Sequence, residues 1–121
     1  MGYESKVAIG CSRKVVKKYK NIFEEQNIYP DEIYANDNCA AFFWNWTKWY
    51  DDFDDVKAVM NLTEELMEDD ENCISYLRIG EEFGDYEELG TPGIIYPFID
   101  IKVNWQLSEV KSLDKLINER E

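Results

Sequence analysis

Residues alternate in character from Tyr3 to Cys11, with Tyr3, Ser5, Val7, Ile9 and Cys11 on one side, and this period of two predicts a first β-strand. The period then changes to that of a helix. Val15, Val16, Tyr19, Ile22 and Phe23 fall on one face behind Ser12, which is placed to cap it. Arg13, Lys14, Lys17, Lys18 and Lys20 occupy the other face. Pro30 ends the next turn, and Ile33 to Ala35 fits a short edge strand.

Ala40 to Tyr50 is the most aromatic stretch. Phe42, Trp44 and Trp46 point one way and Phe43, Asn45, Thr47 and Trp49 the other, which suits a sheet covered in part on both faces. Phe42, Trp44 and Trp46 are therefore expected in the core. Asp51 to Asp55 offers N-caps and favourable negative charge for a second helix. Val56, Val59, Met60, Thr63, Leu66 and Met67 continue it, up to the run Glu68-Asp69-Asp70-Glu71. Cys73 to Ile79 is strand-like. Gly80 to Gly93 reads as a long acidic loop punctuated by Gly84, Gly90 and Pro92-Gly93. Ile94 to Trp105 is expected as the last strand, with Pro97 marking an edge or bulge, and Ser108 opens a terminal helix through Val110, Leu113, Leu116 and Ile117. The order β-α-β-β-α-β-β-α over residues 1–121 predicts one α+β domain, a mainly antiparallel sheet packed against two or three helices.

Composition narrows the class. At 121 residues with 45% hydrophobic content, four Trp, eight Tyr and six Phe, the chain can bury one core and is not a disordered acidic tail. No apolar stretch approaches a membrane span, and the N-terminus lacks a basic segment followed by an apolar one. Met1-Gly2-Tyr3-Glu4-Ser5-Lys6 resembles a myristoylation signal only faintly, because Lys6 stands where Ser or Thr is required. Cys11, Cys39 and Cys73 are odd in number and widely spaced, which argues for packed thiols in a reducing compartment. The Asn45-Trp46-Thr47 and Asn61-Leu62-Thr63 sequons fall inside a predicted strand and a predicted helix, so they read as chance matches. The expectation is a soluble, cytoplasmic protein.

The chain has no histidine, which removes the commonest general base and metal ligand and every Ser-His or Cys-His pair. A non-enzyme without catalytic residues or a cofactor is therefore expected. Asp51-Asp52-Phe53-Asp54-Asp55 and Asp69-Asp70-Glu71-Asn72 are rich in oxygen ligands. Neither has the glycine or the terminal glutamate of an EF-hand loop, so no dedicated metal site is predicted.

Charge is the most uneven property. Residues 51–90 carry fifteen carboxylates against Lys57 and Arg78, a net of −13 that equals the formal charge of the whole chain. Such a field repels nucleic acid and attracts basic surfaces. The candidate partner-binding set is Asp51, Asp52, Asp54, Asp55, Glu68, Asp69, Asp70, Glu81, Glu82, Asp85, Glu87 and Glu88, with Trp49 and Tyr50 as apolar anchors beside it. Read blandly, the same residues form an ordinary solvated face. Folded, they could also compete with phosphates for a nucleic-acid-binding groove. An alternative ligand set, for a small nucleotide or signalling molecule, stacks a base on Trp49 and Tyr50 and meets phosphate with Arg78, Lys14, Lys17 and Lys18. Against it, Arg78 beside Gly80-Glu81-Glu82 reads more readily as an internal ion-pair partner. The basic first helix is also a natural counter-surface to the acidic region of a second copy, so a homodimer enters as a further expectation.

Three segments carry a resemblance: Gly2-Tyr3-Glu4-Ser5-Lys6-Val7, then Trp46-Thr47-Lys48-Trp49-Tyr50, then Arg78-Ile79-Gly80-Glu81-Glu82 followed by Asp85, Glu87 and Glu88. In their order and spacing the chain resembles a family of short acidic proteins of tailed phages and prophages. The Lys-rich first helix and the terminal helix lie outside the shared pattern. The resemblance implies a setting, the cytoplasm of an infected or lysogenic bacterium, where small acidic proteins block host defence factors by contact. The expected function is inhibition of a host defence or nucleic-acid-processing protein that has a basic surface, without direct contact to nucleic acid or membrane.

Overall fold

The computed structural model describes residues 2–90, 101–102 and 105–118. The first alternation becomes β1 (Ser5–Ser12), buried on both faces. A 3-10 turn, Arg13–Val15, leads into α1 (Val16–Gln26). Ser12 precedes that turn with extended backbone, but its hydroxyl makes no capping hydrogen bond. Asn27, left-handed at φ 55°, ends α1 and lets the Ile28 N–H donate back to the Phe23 carbonyl at 2.9 Å. Next come β2 (Glu32–Ala35) and β3 (Cys39–Thr47), joined by a turn in which Asn36 Oδ1 accepts from the N–H groups of Asn38 and Cys39.

Helix α2 (Asp54–Leu66) is capped by none of the aspartates. Phe53 takes the N-cap position, while Asp54 and Asp55 sit in the first turn, where the helix dipole favours them. A 3-10 turn (Asp70–Asn72), with the Asp69 side chain accepting from the Glu71 N–H, precedes β4 (Ser75–Gly80). Three corrections to the expected order follow. Part of the acidic "loop" is strand β5 (Tyr86–Gly90), paired with β4. Ser108–Val110 is strand β6 instead of the first helical turn, and the terminal helix α3 is Leu113–Asn118. Ile101 and Lys102, expected in a strand, are helical. The rest of that expected strand, residues 94–100, 103 and 104, lies outside the described residues, as do 91–93.

The six strands form one antiparallel sheet in the order β5-β4-β1-β3-β2-β6. Ile33 is therefore not on an edge, because β6 pairs with β2 beyond it. The chain is one α+β domain.

Two cores result from the alternation. On the helix side Val7, Ile9, Phe42, Trp44, Ile33 and Tyr76 meet Tyr19 and Phe23 of α1 and Val56 and Val59 of α2. Phe23 stands edge-on to Phe42 and Trp44 at 5.1 and 5.4 Å, pairs worth about 0.5–1.5 kcal/mol each beyond their buried area. The helices are joined by the buried Tyr19 and Thr63 hydroxyls at 2.9 Å, and Thr63 donates on to the Val59 carbonyl. On the opposite side Ala8, Ala41, Phe43 and Leu77 are covered by Ile101, Trp105 and Leu107. Gly10 admits the Trp105 ring: a Cβ there would lie 2.7 Å from it. Arg13 binds the closing segments, donating to the carbonyls of Asn36 and Leu116 at 2.7 Å each.

Candidate functional site

The site is built on the β4–β5 hairpin. Arg78 and Glu87 are register partners on its two strands, so their side chains share a face, and Arg78 Nε donates to Glu87 at 2.6 Å. The same guanidinium donates to Asp85 at 2.8 and 3.3 Å and to the Ser5 hydroxyl of β1 at 3.1 Å. Asp85 also accepts from the Tyr3 hydroxyl, which in turn accepts from the Glu82 N–H at 2.9 Å.

This network shifts the titration of its members. The Arg78 hydrogen bond and then that of Tyr3 hold the Asp85 carboxyl below the ordinary carboxylate range. The same Asp85 contact pushes the Tyr3 phenol up, and Asp85 followed by Glu87 pushes Arg78 up. Gly80 is what allows the approach, since any Cβ at that position would collide with Asp85 Oδ2 and the Tyr3 hydroxyl. The turn is closed by Gly80 N–H to Asp85 carbonyl at 2.8 Å and Asp85 N–H to Glu82 carbonyl at 3.1 Å. Gly84, at φ +84°, supplies the left-handed residue that the turn requires. The result is a braced hairpin tip that holds Phe83 wholly in solvent, at 107% relative exposure, between Glu81, Glu82 and Asp85.

Beside the hairpin lies the start of α2. Asp51, Asp52, Tyr50, Asp85 and Glu87 rim a shallow depression around Arg78, Tyr3 and Ser5. Along α2, a groove of about 390 Å³ runs between the helix and the sheet edge. Asp51, Glu64 and Glu87 give it charge, and Val56, Met60, Tyr76 and Leu89 give it apolar surface.

The expected partner-binding carboxylates thus divide. Asp51, Asp52, Asp85 and Glu87 come together. Glu81 sits round the tip with Glu4, Trp46 and Lys48, and its carboxylate accepts from the Glu4 N–H. Glu82 is exposed at the tip, and Glu88 points to the other face of the hairpin, opposite Leu77. Asp54 is exposed, while Asp55 is half-buried and accepts from the Val56 N–H. Glu68, Asp69 and Asp70 lie past the far end of α2, roughly 20 Å along its axis at 1.5 Å per residue. There Glu71 faces Lys14 of the basic surface at 3.8 Å.

The aromatic anchors need correcting. Trp49, expected on the surface, is 4% exposed and packs on Trp44 at 5.0 Å, so its ring is core. Trp46, expected in the core, is 45% exposed. The cause is a β-bulge: Ser5 pairs with Thr47 and Val7 with Trp44, so Asn45 and Trp46 together oppose Lys6. The extra residue reverses the side on which everything beyond it falls, and Trp46 takes φ 51°. Tyr50 is half-buried, edge-on to Phe53 at 4.8 Å. The exposed anchors that periodicity missed are Phe83, Tyr86 and Leu89 on the hairpin. Phe83 between two glutamates and a glycine was the available signal.

The alternative ligand set is not assembled. Arg78 is committed to two carboxylates, Trp49 is covered, Lys17 and Lys18 lie exposed on α1, and Lys14 lies exposed on the 3-10 turn before it, at the far end of α2. Among the described residues no three Cys, Asp or Glu side chains converge as a metal-ligand group, and no helix is long and apolar enough to cross a membrane. The thiols of Cys11, Cys39 and Cys73 are unpaired in disulfides; Cys11 is buried, and burial pushes it up.

Compared with known proteins, the chain matches no family model, no curated protein and no solved structure. Fold and surface define it as a single-sheet α+β protein with one acidic, aromatic-tipped flank.

Proposed function

We propose that this chain is a non-enzymatic binding protein of phage or mobile-element origin that inhibits a host protein by occupying its basic, nucleic-acid-binding surface. The observation that carries this reading is the convergence of Asp51, Asp52, Glu64 and Glu87 on one flank beside a braced, fully exposed Phe83. The nearby Arg78 is already neutralised by Asp85 and Glu87, so the flank presents net negative charge to a partner. Exposed aromatics amid charge are the composition of interface anchors. The acidic field would steer a basic partner and repel nucleic acid. The cytoplasm of a bacterial host is the setting in which it would act.

The test is a tagged pull-down from bacterial lysate at low and high salt, repeated with Asp51→Asn/Asp52→Asn and with Phe83→Ala. One stoichiometric partner, lost at high salt and weakened by both variants, is the expected result. A partner retained equally by all three proteins at every salt concentration would overturn the reading.

A further inference from the structure

Resting on that reading, we infer how the partner is held: the outer edge of β5 accepts an extended, cation-bearing segment of the partner as a seventh strand. Among the described residues β5 pairs on one side only, with β4, and it ends the sheet. An end strand presents a row of N–H and C=O groups that a further strand can satisfy. Its side chains are suited to such an addition on both faces. Glu87 and Leu89 lie on the helix side, level with Arg78 and Tyr76, and Tyr86 and Glu88 lie on the other, level with Ile79 and Leu77. Tyr86 and Leu89 are 60% and 37% exposed, apolar surface that a neighbouring strand would cover.

Charge selects the occupant. Above the β5 edge, α2 overhangs a groove whose carboxylates are Asp51, Glu64 and Glu87; among the described lining residues Lys57 opposes them, and Glu87 is also paired with Arg78, so Asp51 and Glu64 carry most of the free negative charge. A strand lying there places alternate side chains under α2, where lysine or arginine heads meet carboxylates and their methylene stems lie along Met60 and Leu89. A second copy of this chain is a poor occupant. Antiparallel pairing of β5 with itself sets Glu88 against Glu88 when centred there and Glu87 against Glu87 when centred one residue earlier, and like charges directly opposite destabilise a strand pair. The edge therefore resists self-association while remaining open to a basic strand.

The test uses two capped octapeptides on the full chain at low salt: alternating Lys-Val, and the same sequence N-methylated at every residue, which keeps charge and removes the backbone donors. The expected result has three parts. Some Tyr86–Gly90 amides exchange freely in the unliganded protein. The unmethylated peptide slows them by about tenfold or more, and the methylated one binds at least about tenfold more weakly. Glu64→Lys, an exposed helix position, should weaken binding with no change in melting temperature. Equal binding of both peptides without protection of β5 overturns strand addition and leaves the acidic-flank reading standing. No binding of either peptide overturns both. Full protection of β5 in the free protein, or its protection in a homodimer seen by sedimentation, shows the edge already occupied and overturns the inference.

Discussion

Arg78 and Asp85 are joined by two hydrogen bonds, Nη2 to Oδ1 at 2.8 Å and Nη1 to Oδ2 at 3.3 Å, across the base of the β4–β5 turn. Such a fork orients the carboxylate as well as neutralising it. Through Asp85 the pair holds Tyr3, and through Tyr3 the Glu82 N–H, so one ion pair braces both sides of the turn. The cation in the middle of the acidic flank thus serves to shape it.

Removing that brace should loosen the hairpin before the core. Arg78→Ala leaves Asp85 and Glu87 facing each other without a cation. Part of the loss is screened by solvent, since Glu87 is half exposed. We expect the chain to lose about 1–2 kcal/mol in urea unfolding, with faster amide exchange at residues 81–90 than in β1 and β3. Uniform exchange across the sheet would contradict the local role.

Stability should fall in acid through the same group. Asp85 titrates below its ordinary value when folded, so its contribution is fully present above the unfolded-state value of about 4. It is lost as pH falls through the lower, folded value. Glu32, held down first by Asn45 and then by Tyr34, acts in the same direction. Urea midpoints measured from pH 7 to pH 2 should decline below about pH 4, and Asp85→Asn should flatten that decline. Tyr3 is raised, so the opposite sign applies in base: its contribution is present below about pH 10 and lost as pH rises through the folded value.

Trp46 and Trp49 should respond in opposite ways. Trp49→Ala empties a core position against Trp44 and should cost about 3–5 kcal/mol. Trp46→Gly removes an exposed ring from a left-handed residue, and by thermal melting it should be neutral or stabilise by up to about 1 kcal/mol. Equal destabilisation by both would contradict the bulge.

Gly10→Ala tests the second face of the sheet. The added Cβ would sit 2.7 Å from the Trp105 ring, so the ring must move off Ala41 and Phe43 or the strand must shift. A loss of about 1–3 kcal/mol with a changed Trp fluorescence spectrum is expected. An unchanged spectrum and stability would place Trp105 elsewhere.

Much of this architecture is legible in residue order. The period of two in Val7, Ile9 and Cys11, and the helical spacing of Val16, Tyr19 and Phe23 and of Val56, Val59 and Thr63, are local consequences of which face is buried. They yield the first strand, both long helices and the α+β class. Ser108 to Val110 misled because three residues are too few to show a period, and they are strand only by pairing with β2. The hairpin strand Tyr86–Gly90 misled because its exposed pattern carries no burial signal; what makes it a strand is the β4 edge beside it.

The chain's order of residues by itself determined where the charge is: −13 confined to residues 51–90, absence of histidine, and two amphipathic helices. Those are sums and periods, and they need no knowledge of what lies opposite. Tertiary structure alone decided which carboxylates share a flank, that Arg78 is spent on Asp85 and Glu87, and that Trp46 and Trp49 exchange their expected places. A single bulge opposite Lys6 reverses the side chains beyond it, and salt bridges form across strand pairs whose register is set by packing. Both depend on contacts between residues distant in the chain, which no local pattern encodes.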